Sequence, residues 1–124
     1  MAVNTYSMKK DWNKKVSAHF SVYEFACSDH SDTVLIDTEL VYILEQVRAH
    51  FGKPVHINSG YRSPSYNISI GGSPRSQHCL GTAADVTIKG VDPIRIALYL
   101  VVFALGLYYL CTKWKLGSDK DDRL

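Results

Sequence analysis

Residues 37–51 carry the pattern that most restricts what this chain can fold into. Leu40, Ile43, Leu44, Val47 and Phe51 recur at three- and four-residue spacing, which lines one side of a helix with apolar groups. Asp37 or Thr38 can cap its start, and Gly52-Lys53-Pro54 stops it. Such a helix draws most of its stability from packing against a second apolar surface, so the rest of the chain must supply one. Two short strand candidates do. Val55 to Asn58 places Val55 and Ile57 on one face. Thr82 to Lys89 places Val86 and Ile88 on one face, Asp85 and Thr87 on the other, and ends at Gly90.

The remaining segments are smaller. Met1 to Lys15 is polar and reads as a loose entry segment, while His19 to Cys27 holds an apolar patch of Phe20, Val22, Tyr23 and Phe25. Ser59-Gly60-Tyr61-Arg62-Ser63-Pro64 is a loop, from which Pro64 opens a short helix through Ile70. Gly71-Gly72-Ser73-Pro74 is a second loop, and Asp92-Pro93 starts a last helix through roughly Leu100. This order predicts an α+β fold, a small antiparallel sheet with helices packed on one face. A chain of 124 residues suits one such domain. Its expected parts are a polar segment at 1–18, the domain at 19–100 and an apolar then charged tail at 101–124.

Composition narrows the function. A formal net charge of +2 without a long basic stripe gives no case for nucleic acid. It weakly favours an anionic polymer. Three cysteines, Cys27, Cys79 and Cys111, make no disulfide framework and are expected as reduced thiols. The first ten residues lack the apolar core of a secretory signal. Synthesis in the cytoplasm without a signal peptide is expected, as is a monomer.

The chemistry concentrates in Ser76-Gln77-His78-Cys79-Leu80-Gly81-Thr82-Ala83-Ala84-Asp85-Val86. An imidazole and a carboxylate are ordinary Zn²⁺ ligands. The spacing of His78 and Asp85 is not helical and needs a turn, which Gly81 provides. Ala83 and Ala84 leave room beside a metal. The pair alone is weak evidence, since such spacings are common.

Ser59-Gly60-Tyr61-Arg62-Ser63-Pro64, Tyr66-Asn67 and Gly71-Gly72 precede that stretch, with Tyr23-Glu24-Phe25 and the helix from Asp37 further upstream. Together, over about Phe20 to Asp92, they closely resemble the zinc D-alanyl-D-alanine carboxypeptidase family. That family has the hedgehog/DD-peptidase fold and includes vancomycin-resistance dipeptidases and phage peptidoglycan endolysins. The resemblance implies zinc-dependent hydrolysis of peptidoglycan stem peptides at the cell wall. It makes His78 and Asp85 the first two zinc ligands and Arg62 the group that contacts substrate and steadies the oxyanion. Ser76 and Gln77 then border the substrate or the metal, and Tyr61 and Asn67 shape the loop. A non-catalytic cell-wall binding or accessory module is the alternative.

Other donors have plainer readings. Cys79 is expected to be a small buried filler, and His19, His30, His50 and His56 structural or surface residues. Asp29-His30-Ser31-Asp32 reads as a solvated turn.

The family closes its site with a C-terminal histidine, but no histidine follows His78 here, so the third ligand is unassigned. The tail from Ile96 to Cys111 is entirely apolar, aromatic or Gly. Three readings stay open: a divergent or frame-disrupted C-terminus, a substituted ligand at Cys111 or Asp119, or membrane contact through 96–111. Sixteen helical residues span roughly 24 Å, against a hydrocarbon core of roughly 30 Å, which argues against a full span.

Overall fold

The computed structural model describes residues 2–103. The described chain divides at Gly90, one unit running to Lys89 and a second starting there. The first unit is α+β, as expected, but its strands form two separate antiparallel pairs instead of one sheet.

The first pair joins β1 (Val3–Ser7) to β2 (Thr33–Asp37), with Val3 opposite Asp37 and Ser7 opposite Thr33. Met1 to Lys15 is therefore not a loose segment. Its start is a strand, followed by a helical turn, α1 (Met8–Asp11). Nothing in its polar composition announces this, because β1 is largely exposed and is held by backbone pairing to β2. The buried side chains of the pair come from β2, through Val34 and Ile36.

Asp37 ends β2 and caps α2 (Thr38–Phe51), its side chain accepting from Glu39 N–H at 3.1 Å. Gly52, at φ 64°, closes the other end. The helix buries Val41, Leu44 and Val47, while Leu40, Ile43 and Phe51 are half-buried, so the apolar stripe is centred slightly off the expected line. Glu45 on the same helix accepts from the Ser17 hydroxyl and, at 2.9 Å, from His19 N–H. That anchors the segment leading to Phe20, which is fully buried with Val22 and Phe25. The apolar patch at His19 to Cys27 is thus the surface that the chain around α2 requires. Val22–Phe25 forms a 3₁₀ turn closed by a capping box between Ser21 and Glu24.

The second strand pair joins β3 (His56–Ser59) to β4 (Asp85–Thr87). Val55 and Ile57 are buried while His56 and Asn58 are exposed, and Ile88 is buried while Asp85 and Thr87 are exposed, matching the expected alternation. The expected strand over Thr82 to Lys89 contracts to the three residues Asp85–Thr87, and before it residues 77–80 form a second 3₁₀ turn (Gln77–Leu80). Between β3 and that turn lies α3 (Pro64–Ser69), capped by Ser63, with proline in its first turn.

In the second unit, residues 93–103 are helical. Asp92 caps them, its carboxylate accepting from Ile94 N–H at 2.9 Å. Ile94, Leu98, Val101 and Val102 are exposed on this helix. Among the described residues no helix is long and apolar enough to cross a membrane. Cys111, Asp119 and the second half of the 96–111 run lie outside the described residues.

Gly81 connects the two strand pairs. It sits at φ 77°, and a Cβ there would meet the backbone carbonyl oxygen of Leu35 at 2.6 Å. Gly81 carbonyl also accepts from Asp37 N–H at 2.9 Å. Gly52 has a similar φ of 64° but open space around it. Gly52→Ala is therefore expected to cost about 1 kcal/mol, the left-handed penalty alone. Gly81→Ala should cost about 1–3 kcal/mol more, because β2 backbone must shift. Urea denaturation of the two variants measures the difference.

Candidate active site

Three local structures bring the site residues together. β3 delivers Ser59 and, just beyond it, Gly60 and Arg62. The 3₁₀ turn Gln77–Leu80 delivers His78, and β4 delivers Asp85. A β-bulge between Ile57 and Ser59 sets Ser59 opposite Asp85.

Gly60 lets the chain close. A Cβ at Gly60 would lie 2.7 Å from Phe25 Cα and 2.8 Å from Phe25 O. Tyr61 N–H donates to that same Phe25 carbonyl at 2.9 Å, which pins the Val22–Phe25 turn against the loop. Gly60 carbonyl is left to face the His78 ring, 2.7 Å from Nδ1. A carbonyl can only accept, so Nδ1 carries a proton, and in the neutral imidazole the lone pair is then on Nε2. This is the carbonyl-anchored arrangement of a metal-binding histidine.

His78 Nε2 lies 3.4 Å from Asp85 Oδ2. That separation decides whether a zinc ion fits. Two donors at about 2.0–2.2 Å from one tetrahedral ion sit roughly 3.3–3.5 Å apart. The 3.4 Å separation falls within this range, so the pair could serve as two corners of a zinc tetrahedron. His78 is largely buried and Asp85 is 61% exposed, so the pair opens to solvent on the carboxylate side.

Arg62 stands on the same oxygen, Nη2 being 3.6 Å from Asp85 Oδ2. Its backbone N–H donates to His78 carbonyl at 3.1 Å. Nε reaches Ser59 Oγ and Nη1 reaches Asn67 Oδ1, each at 3.3 Å. Two edges of the guanidinium are thus held by the protein, and Nη2 remains on the metal side.

Residues 18–113 match the model of the peptidase M15 family. The chain belongs to this family. No curated protein and no solved structure gives a match. Membership establishes a metallopeptidase-family domain and agrees with the α+β architecture. Peptidases of this family are generally zinc-dependent, which agrees with the donor spacing at His78 and Asp85.

Other expected residues take supporting positions in this family member. Ser76 Oγ accepts from His78 N–H at 3.2 Å and so caps the turn. Gln77 accepts from the Thr82 hydroxyl through its side chain at 2.7 Å. Both stabilise the turn that presents His78. Cys27 is buried and Cys79 half-buried, both as free thiols. Tyr61 is buried, which pushes its phenol upward, with the nearby Cys79, Cys27 and Asp29 adding to the effect. His19 pairs with Glu45 at 2.7 Å, and His56 is exposed. Among the described residues no group of three His, Cys, Asp or Glu could hold a metal.

Two supporting residues carry more than their sequence context suggests. Asn67 is 1% exposed. Besides accepting from Arg62, its amide nitrogen donates to Ser73 carbonyl at 2.7 Å. Its side chain also fills the space a Cβ at Gly72 would need, at 2.0 Å from Oδ1. The Asn67/Gly72 pair is a signal that sequence can show, but only the packing gives it meaning. Asp29, in the turn read from sequence as solvated, accepts from the Ser63 hydroxyl at 2.6 Å and from Ser31 N–H at 2.9 Å. It therefore ties that turn to the cap of α3, just after Arg62.

Gly72→Ala is expected to destabilise the protein by about 1–3 kcal/mol through this clash. In an Asn67→Ala background the added cost should fall to less than half, a coupling that a double-mutant cycle in urea measures. Additive costs would contradict the packing. For Asp29, the Ser63 hydroxyl, followed by Ser31 and Cys27, holds the carboxyl well below the usual carboxylate range. A depressed folded-state value means its stabilisation is complete above the ordinary Asp pKa and is lost as pH falls through the folded value. NMR titration should find the Asp29 midpoint below that of exposed aspartates, and Ser63→Ala should raise it.

Proposed function

We propose that this chain is a zinc-dependent peptidase domain acting on peptidoglycan stem peptides at the cell wall, of the D-Ala-D-Ala carboxypeptidase or endolysin type. One observation carries the reading: the 3.4 Å separation of His78 Nε2, the ring nitrogen not bonded to the Gly60 carbonyl, from Asp85 Oδ2, with Arg62 beside them. Zinc, when bound, supplies Lewis-acid polarisation of a carbonyl and an activated water.

The protein's own part is positioning. Gly60 carbonyl fixes the His78 tautomer and ring plane. Ser59 and Asn67 hold the guanidinium so that Nη2 points toward the reacting region. A fixed cation there can receive a substrate carboxylate or the oxyanion that develops during acyl transfer, without reorganising as the charge forms. Ser76 and Gln77, at the edge of the turn, border the path by which a peptide reaches this point. The partner is a peptidoglycan peptide, met by a monomer; nucleic acid and a membrane are not required.

A second reading, a non-catalytic wall-binding or accessory module, is favoured by a different observation. The described residues bring together two metal donors, and catalytic zinc usually has three protein ligands. Cys111 and Asp119, the candidates for a third, lie outside the described residues.

Metal analysis separates the two readings. The dialysed protein is expected to retain about one zinc per chain, and His78→Ala and Asp85→Ala should each lose it. Arg62→Lys should keep the zinc but lower kcat/KM on a stem peptide by about a hundredfold. Absence of zinc with muropeptide binding intact would establish the accessory module instead.

A further inference from the structure

One oxygen of Asp85 is shared by two neighbours. His78 Nε2 lies 3.4 Å from Oδ2 and Arg62 Nη2 lies 3.6 Å from the same atom. The oxygen suited to a metal therefore already faces a full positive charge. Among the described residues Asp85 is the carboxylate within ion-pair distance of Arg62. A guanidinium keeps its charge at any ordinary pH, so only movement takes that charge away from Oδ2.

The packing opposes such movement. Arg62 Nε is engaged by Ser59 Oγ and Nη1 by Asn67 Oδ1, each at 3.3 Å. Both partners are themselves fixed. Ser59 is the cross-strand partner of Asp85 on β3, and Asn67 is buried with its amide donating to Ser73 carbonyl at 2.7 Å. The Arg62 side chain is only 18% exposed, so solvent screens its charge poorly. Its backbone N–H also donates to His78 carbonyl, which keeps the arginine loop and the imidazole turn in register.

Two consequences follow from a clamped cation on a metal-binding carboxylate. A divalent ion held by His78 and Asp85 shares Oδ2 with the guanidinium and is repelled by it. An anion seated on Nη2 offsets that repulsion, and by reciprocity the same anion binds more tightly when the metal is present.

We infer that Arg62 opposes metal binding at His78 and Asp85, and that a carboxylate-bearing ligand relieves the opposition, so that zinc is held most tightly when such a ligand is bound. The inference rests on the peptidase reading, which supplies zinc as the ion, and deepens it. It makes metal retention depend on the ligand, and it favours a peptide that brings a carboxylate to Nη2 over a neutral peptide of the same length.

The test measures zinc affinity of the full chain by competition with a fluorescent chelator, at neutral pH and constant ionic strength. Arg62→Gln removes the charge and keeps the backbone bond to His78. It is expected to bind zinc about tenfold more tightly than the wild type, within the usual span of coupling between neighbouring sites. Acetate in place of chloride should tighten zinc roughly threefold in the wild type and by less than half as much in Arg62→Gln. Arg62→Lys, whose ammonium lacks the fork held by Ser59 and Asn67, should give a zinc affinity between the two. An Arg62→Gln variant with native circular dichroism that binds zinc no more tightly than the wild type would overturn the inference. So would an acetate effect of equal size in both proteins, which would place acetate on the metal alone. The wild-type acetate response needs no variant, and its absence would overturn the coupling even if Arg62→Gln failed to fold. A wild type that binds no zinc would sink the peptidase reading and this inference together, whereas zinc binding with the wrong response to Arg62→Gln would sink the inference alone.

Discussion

The contact on which the rest of this structure depends is the backbone-to-backbone approach of Gly60 to Phe25. It is closer than any side chain allows. On one side lies the buried cluster of Phe20, Val22 and Phe25; on the other, the Gly60 carbonyl meets the imidazole of His78. The hydrophobic core and the imidazole of His78 thus share one peptide unit. Core packing is dense and resists small displacements, so the histidine inherits the rigidity of the core without being part of it.

The same economy recurs through the acidic side chains. Asp37, Asp11, Asp29, Asp32 and Glu24 all accept from backbone N–H groups near the ends of turns and helices. For Asp29 and Asp32 these donors hold the carboxyl below the usual carboxylate range. Asp85 differs: it stands exposed on β4 with His78 and Arg62 as its neighbours. No cap or turn has claimed Asp85, which leaves its carboxylate available to a cation.

Much of the site was legible in the linear chain. The positions of Arg62, His78 and Asp85 on a loop, a turn and a strand followed from Gly60, Gly81 and the alternation of Val86 and Ile88. The stripe of α2 showed as well, since helical period and caps are local properties. β1 and β2 were not legible. Val3–Ser7 buries nothing on its own account, and its strand conformation exists only because Thr33–Asp37 lies alongside. Non-local backbone pairing leaves little trace in a sequence whose exposed face is polar. That the turn carrying His78 is a 3₁₀ turn over Gln77–Leu80 was not legible for a related reason: Ser76 and Thr82 hold it through side-chain bonds that their residue types merely permit.

By itself, then, the sequence determined which residues could bind a metal and which elements would carry them. Donor chemistry and local periodicity are written residue by residue. Only the tertiary structure decided that His78 presents Nε2 rather than Nδ1, and that Asp85 meets it at a separation matching zinc. It also decided that a buried Asn67 holds the guanidinium between them and Gly72. These outcomes depend on distances between groups far apart in the chain, set by how closely two glycine-containing backbones can pack. Spacing along a sequence does not encode such distances.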